Sequence, residues 1–354
     1  MVPARPIVLL QSDDWGRVGI PSADTLVRLN SAGADVGHSG WDYYGLESES
    51  DLVSLGDVLT SVRDRDGRSP CITANFVMAN ADLARMRDEG FREFRWVGID
   101  HGFPQPWREN LLHVYRELVR TGAFEPALHG FTHFNTTALM QCLREQSERG
   151  RRSRLLAAHD VPYLASWTPE YNFALVTRGR REDFLDEARQ DDWIAAGVRL
   201  FVDVFGKAPR VSCAPGYRAN AVTRRLWKKH RIEAVQSVGA GCLAMNDGLL
   251  DLQRNVTFEP VLDEGDVVAR ALDQAKGAVG RGTPVVICTH SINYITRFVG
   301  GADRSRELLR KFLVSLVDRF PDLRFARTDE VIDAWRNATP DWFKVLRSTS
   351  RETA

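Results

Sequence analysis

Two carboxylates stand side by side at Asp13 and Asp14, directly behind an apolar run, in the stretch Ser12-Asp13-Asp14-Trp15-Gly16. Burying two adjacent negative charges is costly without a cation or another partner. On a regular strand their side chains would point to opposite faces, whereas a strand end where the backbone turns lets both reach one site. The same pair could instead cap the start of a helix, its charge favouring the helix dipole. Farther on, His129-Gly130-Phe131-Thr132-His133 places two imidazoles at i and i+4, close enough on a helical turn or in a loop to share one metal. Gly130 weakens the helical option, and two hydrogen-bonded histidines near a strand end are the plainer alternative. A third histidine, His290, closes the apolar run 284–289 and precedes Ser291, Ile292 and Asn293. The loop from Ser212 to Asn220 contains Pro215 and Gly216, which shape a tight connection ahead of a helix. One carboxylate pair, a histidine pair and a third histidine, each at the end of a separate apolar run, form the constellation that metal-assisted hydrolysis requires.

Such groups must be carried by a scaffold, and its elements are visible as alternating patterns. Short apolar runs at 6–11, 71–78, 95–99, 127–131, 210–214, 234–238, 284–289 and 323–326 read as buried strands. Amphipathic stretches at 23–30, 52–62, 108–120, 182–205, 222–230, 266–279 and 304–319 read as helices between them. Near-continuous apolar strands separated by helices indicate parallel pairing, and a series of such units points to a (β/α) barrel more than to a doubly wound sheet. No glycine-rich phosphate loop follows the first strand. In a parallel barrel, catalytic groups collect where strands end and loops begin, which is where these residues fall. The stretch 160–179 lacks periodicity and reads as a long excursion near that face. One domain over 1–340 with a polar tail at 341–354 is expected.

Lys plus Arg and Asp plus Glu number 47 each in the 354 residues, so a neutral total offers no general attraction to nucleic acid or an anionic membrane. The basic clusters at 149–152 and 224–231 read as solvated faces. No apolar run reaches the roughly 20 residues that span a bilayer. The start of the chain lacks signal-peptide regions, and Cys71, Cys142, Cys213, Cys242 and Cys288 show neither finger spacing nor a disulfide framework. A cytoplasmic, reducing setting is expected, with the oligomeric state left open.

At the residues singled out above, the chain resembles the polysaccharide deacetylases, a family of metal-dependent carbohydrate esterases. Ser12-Asp13-Asp14 is similar to their Asp-Asp pair after the first strand, and His129 to His133 to their paired-histidine motif. Gly206 to Pro209 is similar to the lead into a third motif, Cys213 to Tyr217 to that motif, and Val286 to His290 to the late strand that ends in a catalytic histidine. The resemblance runs in order over about residues 6–290. It implies a distorted (β/α) barrel of seven or eight strands. It implies that Asp14, His129 and His133 hold one divalent metal, which the mixed nitrogen and oxygen set would make zinc first, with cobalt, nickel, iron or manganese as alternatives. The metal would activate water and polarise an amide carbonyl, with Asp13 as general base and His290 as general acid. The implied reaction removes an N-acyl group, N-acetyl foremost, from a sugar or glycan precursor. Trp15, Tyr217 and Arg218 are candidate substrate contacts, and Trp41, Tyr43, Tyr44 and Tyr294 could offer further apolar platforms. One departure stands out: where the family carries an arginine that orients the base, this chain has Cys213, and Arg218 is the candidate substitute.

Two other functions compete. The same scaffold could hydrolyse another non-peptide C–N bond, in a formamide or cyclic amide, or the chain could be a degenerate carbohydrate-binding protein without turnover. A two-carboxylate glycosidase is disfavoured, because adjacent aspartates do not flank a bond at the required separation.

Overall fold

The computed structural model describes residues 5–107, 110–167, 170–175, 183–239, 243–296 and 301–337. Its strands are β1 (Ile7–Trp15), β2 (Ile72–Phe76), β3 (Ala79–Ala81), β4 (Trp96–Gly98), β5 (Phe124–Leu128), β6 (Val211–Cys213), β7 (Ala234–Val238), β8 (Leu243–Asn246), β9 (Leu249–Arg254), β10 (Val256–Thr257), β11 (Val285–His290) and β12 (Arg324–Phe325). In the main sheet β10, β11, β1, β2, β5, β6, β7 and β9 lie side by side in that order and run parallel. An antiparallel β8 follows β9, and β12 pairs with the start of β1. β10 succeeds β9 after Asn255 alone, so one stretch of chain pairs with β7 on one side and with β11 on the other. Asn255 completes this seam with its side chain, donating to Pro284 O at 2.8 Å and accepting from Val286 N at 2.9 Å. Both ends of the parallel run therefore sit on a single segment, which gives the sheet its barrel-like form.

Alternation along β1 sorts its residues between two environments. Val8 and Leu10 join a cluster with Leu52, Leu55 and Leu59 of the helix Glu49–Ser61 and with Leu309, Phe312 and Leu316 of the helix Ala302–Arg319. Ile7 and Leu9 join Ala127, Leu250, Leu252 and Val286 on the inner side, closed by Val331 and Ile332 of the helix Thr328–Asn337. Each such aliphatic side chain, fully buried, contributes about 1.5–3 kcal/mol. The same parity carries Gln11 and Asp13 to the inner side, above this apolar plug.

The expected strands recur with three differences, the first being that the strand expected at 127–131 runs instead over Phe124–Leu128, so that the histidine motif falls in the loop behind it. Residues 95–99 do not enter the main sheet: β4 there pairs antiparallel with β3 in a separate two-stranded sheet, because β3 follows β2 too closely to cross over. The hairpin of β8 and β9, turning at Asp247 and Gly248, was not anticipated. The helix expected from residue 108 begins at Leu112, and that from 182 at Glu187. Residues 108, 109 and 182 lie outside the described residues, as does the expected tail at 341–354. No helix among the described residues is long and apolar enough to cross a membrane.

Candidate active site

The site lies at the C-terminal ends of β1, β5, β9 and β11. β1 runs on through the aspartate pair to Trp15, with its pairing to β2 shifting register between Ser12 and Trp15. The irregularity is centred on Asp14, whose φ of 73° lies in the left-handed region. That turn of the backbone is what lets neighbouring carboxylates serve one centre. Beyond β5, Gly130 takes a φ of 82°, so residues 129–133 form a loop and not a helix. Asn135 then caps the helix Thr136–Arg144, fixing the end of the loop that bears His133.

Asp14 Oδ1 lies 2.8 Å from His133 Nε2 and 3.3 Å from His129 Nε2. All three side chains are buried, at 3%, 7% and 2% exposure for Asp14, His133 and His129. Burial pushes His133 down to about 4 despite the pull of Asp14, so its ring is neutral at ordinary pH, the form that ligates a cation. The orientation of His129 tests the fit to a metal. Its Nδ1 is 2.8 Å from the Cys213 carbonyl oxygen, which can only accept, so Nδ1 carries the ring proton. In the neutral ring Nε2 is then a bare lone pair facing a carboxylate oxygen. Two acceptors pointed at each other repel, and a cation between them removes the conflict. Donors about 2.0–2.2 Å from a tetrahedral metal stand roughly 3.3–3.6 Å apart; the His129 pair at 3.3 Å meets this, and the His133 pair at 2.8 Å would open slightly around an ion. The residues fit a single divalent ion. Arg17 Nη1, at 3.1 Å, holds the other oxygen of Asp14.

Asp13 faces the barrel interior and meets Arg254. The guanidinium donates to Oδ1 at 2.6 Å through Nη2 and to Oδ2 at 2.7 Å through Nη1, while Asn75 donates to Oδ1 at 2.7 Å. Arg254 also reaches Gln11, Gln236 and the Tyr217 hydroxyl. Burial alone would raise the Asp13 carboxyl, but Arg254 overrides it and keeps the group well below the usual carboxylate range. On the far side of Asp13, His290 Nε2 lies 3.7 Å from Oδ2, and Nδ1 lies 2.7 Å from Glu259 Oε1. Burial opposes a charge on this ring, yet Glu259 raises it to about 10. Asn293 braces Glu259 from behind at 2.6 Å, and Trp41 sets its edge on His290 at 4.8 Å between ring centres.

The structure thus brings Asp13, Asp14, His129, His133 and His290 into one centre. One of the expected substrate contacts stands elsewhere. Trp15 is 1% exposed, wedged against Phe124 and Tyr294, and has no surface to offer a ligand. As the candidate substitute for the missing arginine, Arg218 makes no pair with Asp13: the charge opposite that carboxylate comes from Arg254, which fills the space beside Cys213, its Nη2 3.7 Å from that sulfur. Tyr217 is 39% exposed at the rim. Arg254 and Glu259 were missed. The Asn246-Asp247-Gly248 turn was the available signal, because it marks a hairpin whose return strand ends at Arg254. A cavity of about 670 Å³ at the opposite end of the strands, lined by residues that include Arg68, Glu125, Lys207 and Asp329, holds none of these groups.

Among solved structures, a probable polysaccharide deacetylase from Pseudomonas aeruginosa PAO1 superposes with a TM-score of 0.51 over 95% of this chain and 93% of its own, at 11% identity. The chain has a polysaccharide deacetylase fold. Two further structures are similar at lower TM-scores. A family 4 carbohydrate esterase from Streptomyces lividans in complex with acetate gives 0.39 at 13% identity, over 92% of this chain and 93% of that one. A CE4 family pseudoenzyme from Bacillus anthracis gives 0.38 at 8% identity, over 90% of this chain and 62% of that one. No family model and no curated protein matches the chain. In terms of the deacetylase fold, the centre occupies the strand ends where a barrel assembles its chemistry.

Proposed function

We propose that this protein is a metal-dependent hydrolase that removes an N-acyl group, N-acetyl foremost, from a sugar or a glycan precursor. The observation that carries this is the meeting of Asp14, His129 and His133, with the bare Nε2 of His129 turned on a carboxylate oxygen, between an ionised acid and a charged imidazole. A divalent ion held by these three, zinc first for their mixed oxygen and nitrogen donors, would acidify water and polarise the amide carbonyl. Asp13 is the base: it takes a proton from the attacking water as oxygen adds to the carbonyl carbon. Arg254 and Asn75 fix the orientation of the carboxylate. His290 is the acid: protonated at neutral pH through Glu259, it gives its Nε2 proton to the leaving nitrogen as the C–N bond breaks, leaving a carboxylate and an amine. The unpaired thiols of Cys71, Cys142, Cys213 and Cys288 support a reducing, cytoplasmic setting.

The test is metal analysis of the purified protein, followed by a mass-spectrometric screen of N-acyl sugars and small amides. Acetate release that stops with chelator and in Asp13→Asn is the expected result. Formate or ammonia release in its place transfers the scaffold to other C–N bonds, and sugar binding without turnover by a metal-loaded sample overturns the enzymatic reading.

A further inference from the structure

The three ligating residues stand at the end of β1 and in the loop after β5, and the segments that follow these two strands are locked together beside the metal centre. From the β1 side comes the short turn Gly40–Tyr43, with Asp42 fully buried within it. From the β5 side comes the excursion after the helix Glu148–Ala158, including Tyr163, Ser166, Tyr171 and Asn172. Ser166 donates to Asp42 Oδ1 through both its backbone N–H and its hydroxyl, each at 2.9 Å. A second pin is Arg17. Its guanidinium lies between the Tyr44 ring at 4.0 Å and the Tyr163 ring at 4.5 Å, while it holds the metal-ligating Asp14. Tyr44 and Tyr163 are 1% and 2% exposed, so this is packed wall and not a loose flap. Tyr163 stacks on His133 at 5.5 Å, and Tyr171 sets an edge to it at 5.1 Å. Asn172 extends the wall to the third loop by donating to Arg218 O at 2.7 Å. Gly216 has no room for a side chain, because a Cβ there would lie 2.5 Å from the Tyr171 ring.

A polymer modified at an interior unit must lie across a metal centre and leave on both sides. Here one side is closed by a wall whose inner members touch two of the ligands themselves. We infer that the centre is a blind pocket that accepts an acylamino group on a terminal sugar or a small molecule, and excludes an interior unit of a chain. This rests on the N-acyl hydrolase reading, and the test separates the two. Metal-loaded protein is given N-acetylglucosamine and its linear oligomers up to six units, and the products are sequenced by mass spectrometry. Deacetylation confined to a chain end, with kcat/KM changing less than about threefold from two units to six, is expected, since added units find no further contacts. Deacetylation at an interior unit, or a rise of about tenfold or more with length, overturns the inference. If none of the series is turned over, the hydrolase reading fails for these sugars, and the pocket is judged by binding. Affinity of metal-loaded Asp13→Asn for the same series, followed by quenching of Trp41 at the mouth against a Trp41→Phe control, should level off by the second unit. Affinity that climbs with every unit, or no binding of the single sugar beside firm binding of the longest oligomer, overturns the blind pocket. Asp42→Ala removes both bonds from Ser166 without touching the catalytic groups, and it should admit longer oligomers; an unchanged length profile in a folded Asp42→Ala protein counts against the wall as the determinant.

Discussion

Replacing Glu259 by Gln tests the assignment of His290 as the acid, because it removes a charge and keeps the shape. In the native protein Glu259 holds the imidazole at about 10 against the effect of burial. Without that carboxylate, burial faces only the smaller pulls of Cys288 and Asp13, and the ring should titrate near its ordinary value of 6.5. The difference is at least 3 pH units, or ~4 kcal/mol at 1.36 kcal/mol per unit. At pH 8 a group titrating at 10 is ~99% protonated and one at 6.5 only ~3%, so kcat for Glu259→Gln should fall about thirtyfold there. At pH 5.5 both proteins keep most of the proton, and the two rates should agree within about twofold. The sign follows from the role: an acid loses activity as pH rises through its pKa, so the alkaline limb moves down, from near 10 to near 6.5. The assay is kcat against pH for the metal-loaded enzyme, with the His290 ring followed by NMR in parallel. Equal losses at both pH values, or a ring that titrates unchanged in the variant, would refute the reasoning.

His133→Ala should drop the metal content from near one per chain to near zero by elemental analysis, with circular dichroism unchanged, because the ligand sits in a loop and not in the sheet. Arg254→Met leaves the buried Asp13 charge without its partner and should cost ~3–5 kcal/mol in urea unfolding; adding Cys213→Arg to that background should restore part of the stability and of kcat, since the two side chains share one space. Glu47 is raised by burial to about 7 although the Tyr115 hydroxyl and the Gly16 N–H lower it. Its ordinary value is 4.5, so ~3 kcal/mol of stability present below about pH 4.5 is lost as pH rises through about 7. Glu47→Gln should abolish that loss, and chemical unfolding at pH 5 and pH 8 measures it.

The residues that could be recognised from the chain alone were those whose chemistry coincides with the end of an apolar run. Asp13, Asp14 and His290 each terminate a strongly apolar strand, and the two histidines share a loop, so type and place agreed. Arg254 escaped because its strand reads Leu-Leu-Asp-Leu-Gln-Arg, a mixed pattern without the run of aliphatics that marks the others. Glu259 lies beyond it in a connection with no regular structure of its own. The Cys213 departure shows the physical reason most plainly. What the base needs is a guanidinium at one point in space, and β6 and β9, with β7 between them, can both reach that point. A linear pattern specifies a position in the chain, whereas the pocket specifies only a location. Trp15 shows the converse: it stands beside the aspartates in sequence, yet beyond the backbone turn at Asp14 it lies in the core.

That turn has a cost of its own. An aspartate held at a φ of 73° carries about 1–3 kcal/mol of backbone strain that glycine at the same place would not feel. Judged by folding alone, position 14 is better occupied by glycine, although aspartate tolerates this conformation better than most residues with a side chain. The chain keeps a strained residue at this bend, where relaxation would draw a carboxylate away from the two imidazoles it faces. A deliberately stabilised version of this protein, obtained by choosing the residue most comfortable at every site, would lose its chemistry here before it lost anything else.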